Sequence, residues 1–174
     1  ALVYGGLSGI VIIAIILSGL TLAGRDGFFT SQYFGYLVML VALSLIFIGV
    51  KRYRDVECGG IIRFWPALKM GLGIAVVAGI VYVLVWEVYL ASTGYRFMED
   101  MFAAMADSLR AEGASEAAIA AEMAQYQWVR DNYSNPLFRI PITFLEPLPV
   151  SLLVALVSAA LLRNPRILPA RQPA

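Results

Sequence analysis

Apolar residues in this chain do not alternate with polar ones; they gather in four long runs. The first, Leu2 to Ala23, and the second, Tyr33 to Val50, carry no charged residue. The third runs from Pro66 to Ala91 and the fourth from Leu137 to Leu162. Each is close to the ~20 residues an α-helix needs to cross ~30 Å of hydrocarbon. A membrane β-strand is about half as long and alternates apolar with polar. Lipid also requires backbone hydrogen bonds to close within the segment, which favours helices. The pattern therefore predicts an all-α integral membrane protein. Its transmembrane helices cover about 2–23, 33–50, 66–91 and 137–162 and pack as a four-helix bundle. The first run is read as a span rather than a signal peptide, since no basic stretch precedes it and no A-x-A site follows.

Breaker residues refine the pattern. Gly24 and Gly27 in the short connection Gly24–Gln32 predict an antiparallel pair for the first two spans. Pro66 suits the first turn of the third helix. Pro141, Pro147 and Pro149 predict a kinked fourth helix.

Between the third and fourth spans the period changes. Phe97, Met101, Met105 and Leu109 recur at nearly helical spacing with Phe102 beside them, and Glu99, Asp100, Asp107 and Arg110 take other positions. Gly113 ends this helix. Ser115 caps a second one, with Glu116 in its first turn, bearing Ile119, Met123, Tyr126 and Trp128. Pro136 stops it by disfavouring helix at Asn135. The expectation is an extracytoplasmic amphipathic helical hairpin over about 95–134, packing on itself, on the membrane or on another protein.

Composition changes the picture little. The 174 residues are 60% hydrophobic and only 14% charged. A soluble domain runs near 45–50% apolar and ~25% charged. A net charge of +1 gives no signature of nucleic-acid binding. Position matters more than sum. Lys51, Arg52, Arg54, Arg63, Lys69, Arg163, Arg166 and Arg171 fall on one side of the predicted bundle. The other side holds Arg25, Arg96, Arg110, Arg130 and Arg139 together with most of the acids. The positive-inside rule then puts both termini in the cytoplasm, with a basic loop 51–65 and a tail 163–174. Lys51, Arg52 and Arg54 are read as a topology signal or as a contact for headgroups or a partner.

Candidate chemistry is sparse. The chain has no histidine and a single cysteine, Cys58, so no intrachain disulfide and no Cys/His metal spacing exist. No phosphate-binding loop, nucleophile elbow or internal repeat is present. No metal, cofactor or catalytic set is predicted, and the chain is not read as an enzyme. Two carboxylates, Glu87 and Glu146, lie inside apolar runs, where an ionisable group is costly and faces the bundle interior. In one reading they approach each other and respond to protons or cations. In the other, Glu146 pairs with Arg139 or bonds a tyrosine hydroxyl, while Glu87 reaches the interface; Tyr82 is counted with Glu87, Glu146 and Arg139 in the candidate polar site. Gly71, Ala75 and Gly79 on the third span, and Gly5 and Gly9 on the first, are spaced for close helix packing.

The run Ile46-Phe47-Ile48-Gly49-Val50-Lys51-Arg52-Tyr53-Arg54-Asp55, then Gly59-Gly60 and Ala67-Leu68-Lys69, resembles the family called domain of unknown function 4199. So do Tyr82 to Tyr89, Asn135 to Arg139, and Thr143 to Val150, in order along nearly the whole chain. The resemblance implies a small bacterial inner-membrane protein and assigns no activity. It implies a less restrictive residue where Pro147 stands. The resulting expectation is a multi-pass, non-enzymatic accessory or structural protein whose surroundings are the lipid bilayer and either further copies of itself or a membrane or periplasmic protein. The alternative is a small proton- or cation-responsive channel or transporter using Glu87 and Glu146.

Overall fold

The computed structural model describes residues 1–22 and 32–170. Among them the chain is helical and contains no strand. The expected connection, apart from Gln32, lies outside the described residues, as do Arg25 and Arg171. The helices are α1 (Leu2–Leu22), α2 (Gln32–Val56), α3 (Phe64–Ser92), α4 (Phe97–Ala111), α5 (Glu116–Gln125), α6 (Gln127–Tyr133), α7 (Pro136–Leu145) and α8 (Leu148–Leu162). They form two compact units, Ala1–Val85 with Phe144–Ala174, and Trp86–Thr143.

Among the described residues two helical stretches are long and apolar enough to cross a membrane: α3, at 29 residues, and Pro136–Leu162, which α7 and α8 share. At ~1.5 Å per residue α3 measures roughly 43 Å. The third run was expected to begin at Pro66; it begins at Phe64, with Pro66 within the first turn, where its missing N–H costs nothing. The fourth run is broken at Glu146-Pro147 rather than merely bent. Neither Pro147 nor Pro149 has an N–H to return to the carbonyls of Thr143 and Leu145. Pro141 stays inside α7.

In the first unit α1 packs on α2, and α2 packs on α8. Glycines mark the other contacts. A Cβ on Gly5 would lie 2.7 Å from the Ile74 carbonyl oxygen, and one on Gly9 2.7 Å from that of Ala78, so α1 rests directly on the α3 backbone. A Cβ on Gly71 would meet Ala155 of α8 at 3.0 Å. Leu43, Ile46, Val50, Ile74, Ala78, Ala155 and Leu162 fill the interior. Ser8, Ser151 and Ser158 are also buried, each donating its hydroxyl to the carbonyl four residues earlier, on Tyr4, Pro147 and Val154. The outside is apolar: Leu7 and Ile10 on α1, Val76, Ile80 and Leu84 on α3, and Leu152, Leu153, Leu156 and Val157 on α8 are exposed. Branched aliphatics thus line the outside of this unit as well as its interior.

The second expected run ended at Val50, but α2 continues to Val56, so Lys51, Arg52 and Arg54 stand on helix rather than in a loop. The reason is tertiary. Arg54 is fully buried, and its guanidinium donates to Asp55 at 2.7 Å, to the Ile167 carbonyl at 2.9 Å and to that of Leu168. Lys51 pairs with Asp55 one turn away.

In the second unit α4 and α5 pack on each other across a tight turn. Gly113 takes φ +84°, and the Ala114 and Gly113 N–H groups close on Leu109 and Arg110, a Schellman ending that a left-handed glycine permits. Ser115 accepts the Ala118 N–H as the cap of α5. Two expectations shift. The buried stripe of α4 centres on Met98 and Phe102, while Met101 is exposed, because the Phe102 ring packs against Tyr126 at 6.2 Å. The single second helix is two, α5 and α6, parted at Tyr126.

Candidate functional site

The principal polar cluster, in the second unit, is built by α7 and the end of α3. Asn135-Pro136 sets the start of α7. The Asn135 side chain accepts the Leu137 N–H at 3.0 Å, and Pro136 occupies the first helical position, where no N–H is needed. Arg139 thereby falls in the first turn. Its Nε donates to Glu87 Oε1 at 2.7 Å and its Nη2 to Glu87 Oε2 at 2.7 Å, a fork-to-fork pair that fixes both planes. Nη1 donates to the carbonyls of Tyr133 at 2.9 Å and Ser134 at 3.3 Å. The guanidinium carbon lies 5.0 Å from the Tyr95 ring centroid and 5.8 Å from that of Tyr133. The Arg139 side chain is 4% exposed and that of Glu87 22%.

The surroundings are aromatic. Trp86 Nε1 donates to the Tyr133 hydroxyl at 3.0 Å, and the indole meets Phe97 edge-on at 4.9 Å. Tyr95 closes the cluster from a left-handed conformation, φ 59°, following Gly94 at φ 65°. The Tyr95 and Gly94 N–H groups return to Leu90 and Ala91, so α3 also ends in a Schellman turn. A left-handed tyrosine costs on the order of 1–3 kcal/mol, and its ring rests against the Arg139 cation.

Glu146 lies in the first unit, at the break between α7 and α8. It accepts the hydroxyl of buried Tyr82 at 2.9 Å, while the Glu146 residue itself is exposed. The two carboxylates of the apolar runs thus take different partners. Arg139 holds Glu87 and not Glu146, and the tyrosine hydroxyl on Glu146 is that of Tyr82. Glu87, which one of the two readings let reach the interface, is held by the arginine.

The remaining candidates separate. Gly5, Gly9, Gly71 and Gly79 make close approaches within this chain, Gly79 against the Phe144 ring, where an added Cβ would lie 2.7 Å away; Ala75 is buried. Arg54, expected in a basic loop as a topology signal or a contact for headgroups or a partner, is instead buried on a helix and clamps residues 167–168; Arg52 is exposed. Burial would raise the Asp55 carboxyl, but hydrogen bonds from Lys51 and Arg54 outweigh it and hold Asp55 below the usual carboxylate range. Sequence reasoning missed the roles of Tyr95 and Tyr133 around Arg139. Gly94-Tyr95 after an apolar run was the available signal, since a glycine just past a helix end marks a left-handed turn. Among the described residues no group of three His, Cys, Asp or Glu side chains converges as a metal site would.

The chain matches, over residues 1–164, the family described as "Protein of unknown function (DUF4199)". No curated protein and no solved structure matches it.

Proposed function

We propose that this chain, which belongs to the DUF4199 family, is a non-enzymatic accessory or structural protein of a bacterial inner membrane. In this reading α1, α2, α3 and the broken α7–α8 stretch are four spans of one bundle, and both ends are cytoplasmic. Helices α4 to α6 lie outside and meet a second copy or another membrane or periplasmic protein. The observation that carries the proposal is the closed Glu87–Arg139 pair. Both carboxylate oxygens are taken by one guanidinium whose third nitrogen is held by backbone carbonyls. A carboxylate that conducts protons or cations must exchange partners, whereas one locked fork-to-fork fixes the geometry around it. The apolar exterior of the first unit supports the membrane setting.

A specific feature favours a second reading, a proton- or cation-responsive channel or transporter. Glu146 stands at a helix break beside carbonyls that Pro147 and Pro149 leave without intrahelical donors. Reconstitution separates the two. The purified chain in liposomes should carry no proton or monovalent-cation flux above empty vesicles, and crosslinking in cells should capture a protein, or a second copy, through residues of α4 to α6. Flux that disappears in Glu146→Gln would overturn the accessory reading and establish the transport one.

A further inference from the structure

A cleft of ≈ 200 Å³ opens beside the Arg139 cluster in the second unit, with Glu99, Arg130, Asp131, Ser134 and Tyr95 on its walls. Its charges are unusual in one respect. Glu99, Arg130 and Asp131 are exposed and line one cavity, yet none of the three joins an ion pair among the described residues. One face of the Arg130 guanidinium lies 5.8 Å from the Phe102 ring, which leaves its N–H edge free to donate. Arg139 is a fixed wall, its charge already balanced by Glu87. The cleft therefore offers one uncommitted cation and two uncommitted carboxylates.

We propose that this cleft binds a phosphoethanolamine group, with Arg130 on the phosphate and Glu99 and Asp131 on the primary ammonium. A single-signed ligand would leave either the acids or the arginine uncompensated; a zwitterion satisfies both. The volume equals about six or seven waters at ~30 Å³ each, room for a headgroup and not for an acyl chain. The proposal rests on the membrane reading above. Glu87 lies toward the end of α3 and Arg139 at the start of α7, the ends of the two helices long enough to cross a bilayer, and such ends lie at headgroup level. A phospholipid is one source of the group, and a soluble phosphoethanolamine ester is the other.

The test uses the full chain in detergent, with native mass spectrometry against an equimolar mixture of phosphatidylethanolamine, phosphatidylcholine and phosphatidylglycerol of matched acyl chains. Phosphatidylethanolamine should be retained about ten-fold over the other two, the effect of one or two charge-assisted hydrogen bonds that a trimethylammonium or a glycerol does not make. Glu99→Gln with Asp131→Asn should erase the preference over phosphatidylglycerol, and each single variant should reduce it. Arg130→Gln should weaken retention of all three lipids, and Arg110→Gln, a control elsewhere on α4, should leave the pattern unchanged. Displacement by glycerophosphoethanolamine at concentrations comparable to the lipid's would support the same chemistry and assign it to a soluble ligand. Equal retention of the three lipids, with no binding of the soluble ester, overturns the proposal, as does a preference that persists in all the cleft variants. Flotation of the reconstituted chain with liposomes tests the membrane reading separately, because a chain that floats without lipid selectivity loses only this inference.

Discussion

Arg139 is worth following at the level of single bonds, because four of its five N–H donors have a fixed acceptor and the fork to Glu87 takes two of them. Removing one partner of a largely buried pair leaves an uncompensated charge. Glu87→Gln should therefore destabilise the protein by about 3 kcal/mol, read from thermal or denaturant unfolding in detergent. The double variant Glu87→Gln with Arg139→Met should recover part of the loss, and strict additivity would refute coupling. Arg54 obeys the same physics. Arg54→Met strips the Ile167 and Leu168 carbonyls of their donor and should cost about 3 kcal/mol. Proteolysis after residue 163 should quicken accordingly. Asp55 supplies a pH prediction. Its carboxyl is held below the unfolded value of ~3.9, so its contribution is complete above that unfolded value. The contribution is lost as pH falls through the lower folded value. The stability difference between wild type and Asp55→Asn should thus be constant from neutrality to about pH 5 and shrink below about pH 4.

Among the helices, contact geometry decides what each glycine does. Gly9 and Gly6 belong to the same apolar helix, but a Cβ on Gly9 would strike the Ala78 carbonyl oxygen at 2.7 Å, while one on Gly6 meets nothing within 4 Å. Gly9→Val should lower the melting temperature clearly and Gly6→Ala should leave it within error, by circular dichroism in the same detergent. Equal effects would mean that α1 does not rest on α3 through Gly9. The small-residue spacing was legible in the sequence because close packing in lipid needs small side chains. Which glycines are in contact was not legible, because that depends on helix rotation. The same holds for α4, whose buried stripe lies one residue from the periodicity first read, set by the Phe102–Tyr126 contact. It holds for α2 also. The charges at Lys51 and Arg54 looked like the end of an apolar helix, yet the helix continues because Asp55 and two distant carbonyls satisfy them.

For the molecule as a whole, the proposed topology makes one residue an internal probe. Cys58 is the sole cysteine and follows α2 on the side predicted to be cytoplasmic. A membrane-impermeant maleimide should leave Cys58 unlabelled in intact spheroplasts and label it after permeabilisation. Ala114→Cys in a Cys58→Ser background should be labelled without permeabilisation. The reverse pattern would invert the topology, and labelling of both sites from one side would rule out an odd number of spans between them.

The amino-acid sequence by itself determined the helical class, the apolar stretches of α3 and of Pro136–Leu162, the Gly113 turn with its Ser115 cap, and the family resemblance. These depend on interactions within a few residues, namely periodicity, capping, and the absence of an N–H on proline. Only the tertiary structure decided which partner each charge takes: Arg139 on Glu87, Tyr82 on Glu146, Arg54 on residues 167–168. The physical reason is distance along the chain. Residues 52, 64 or 113 positions apart meet only once helices are packed, and a run of apolar residues constrains the length of a helix far more than its rotation.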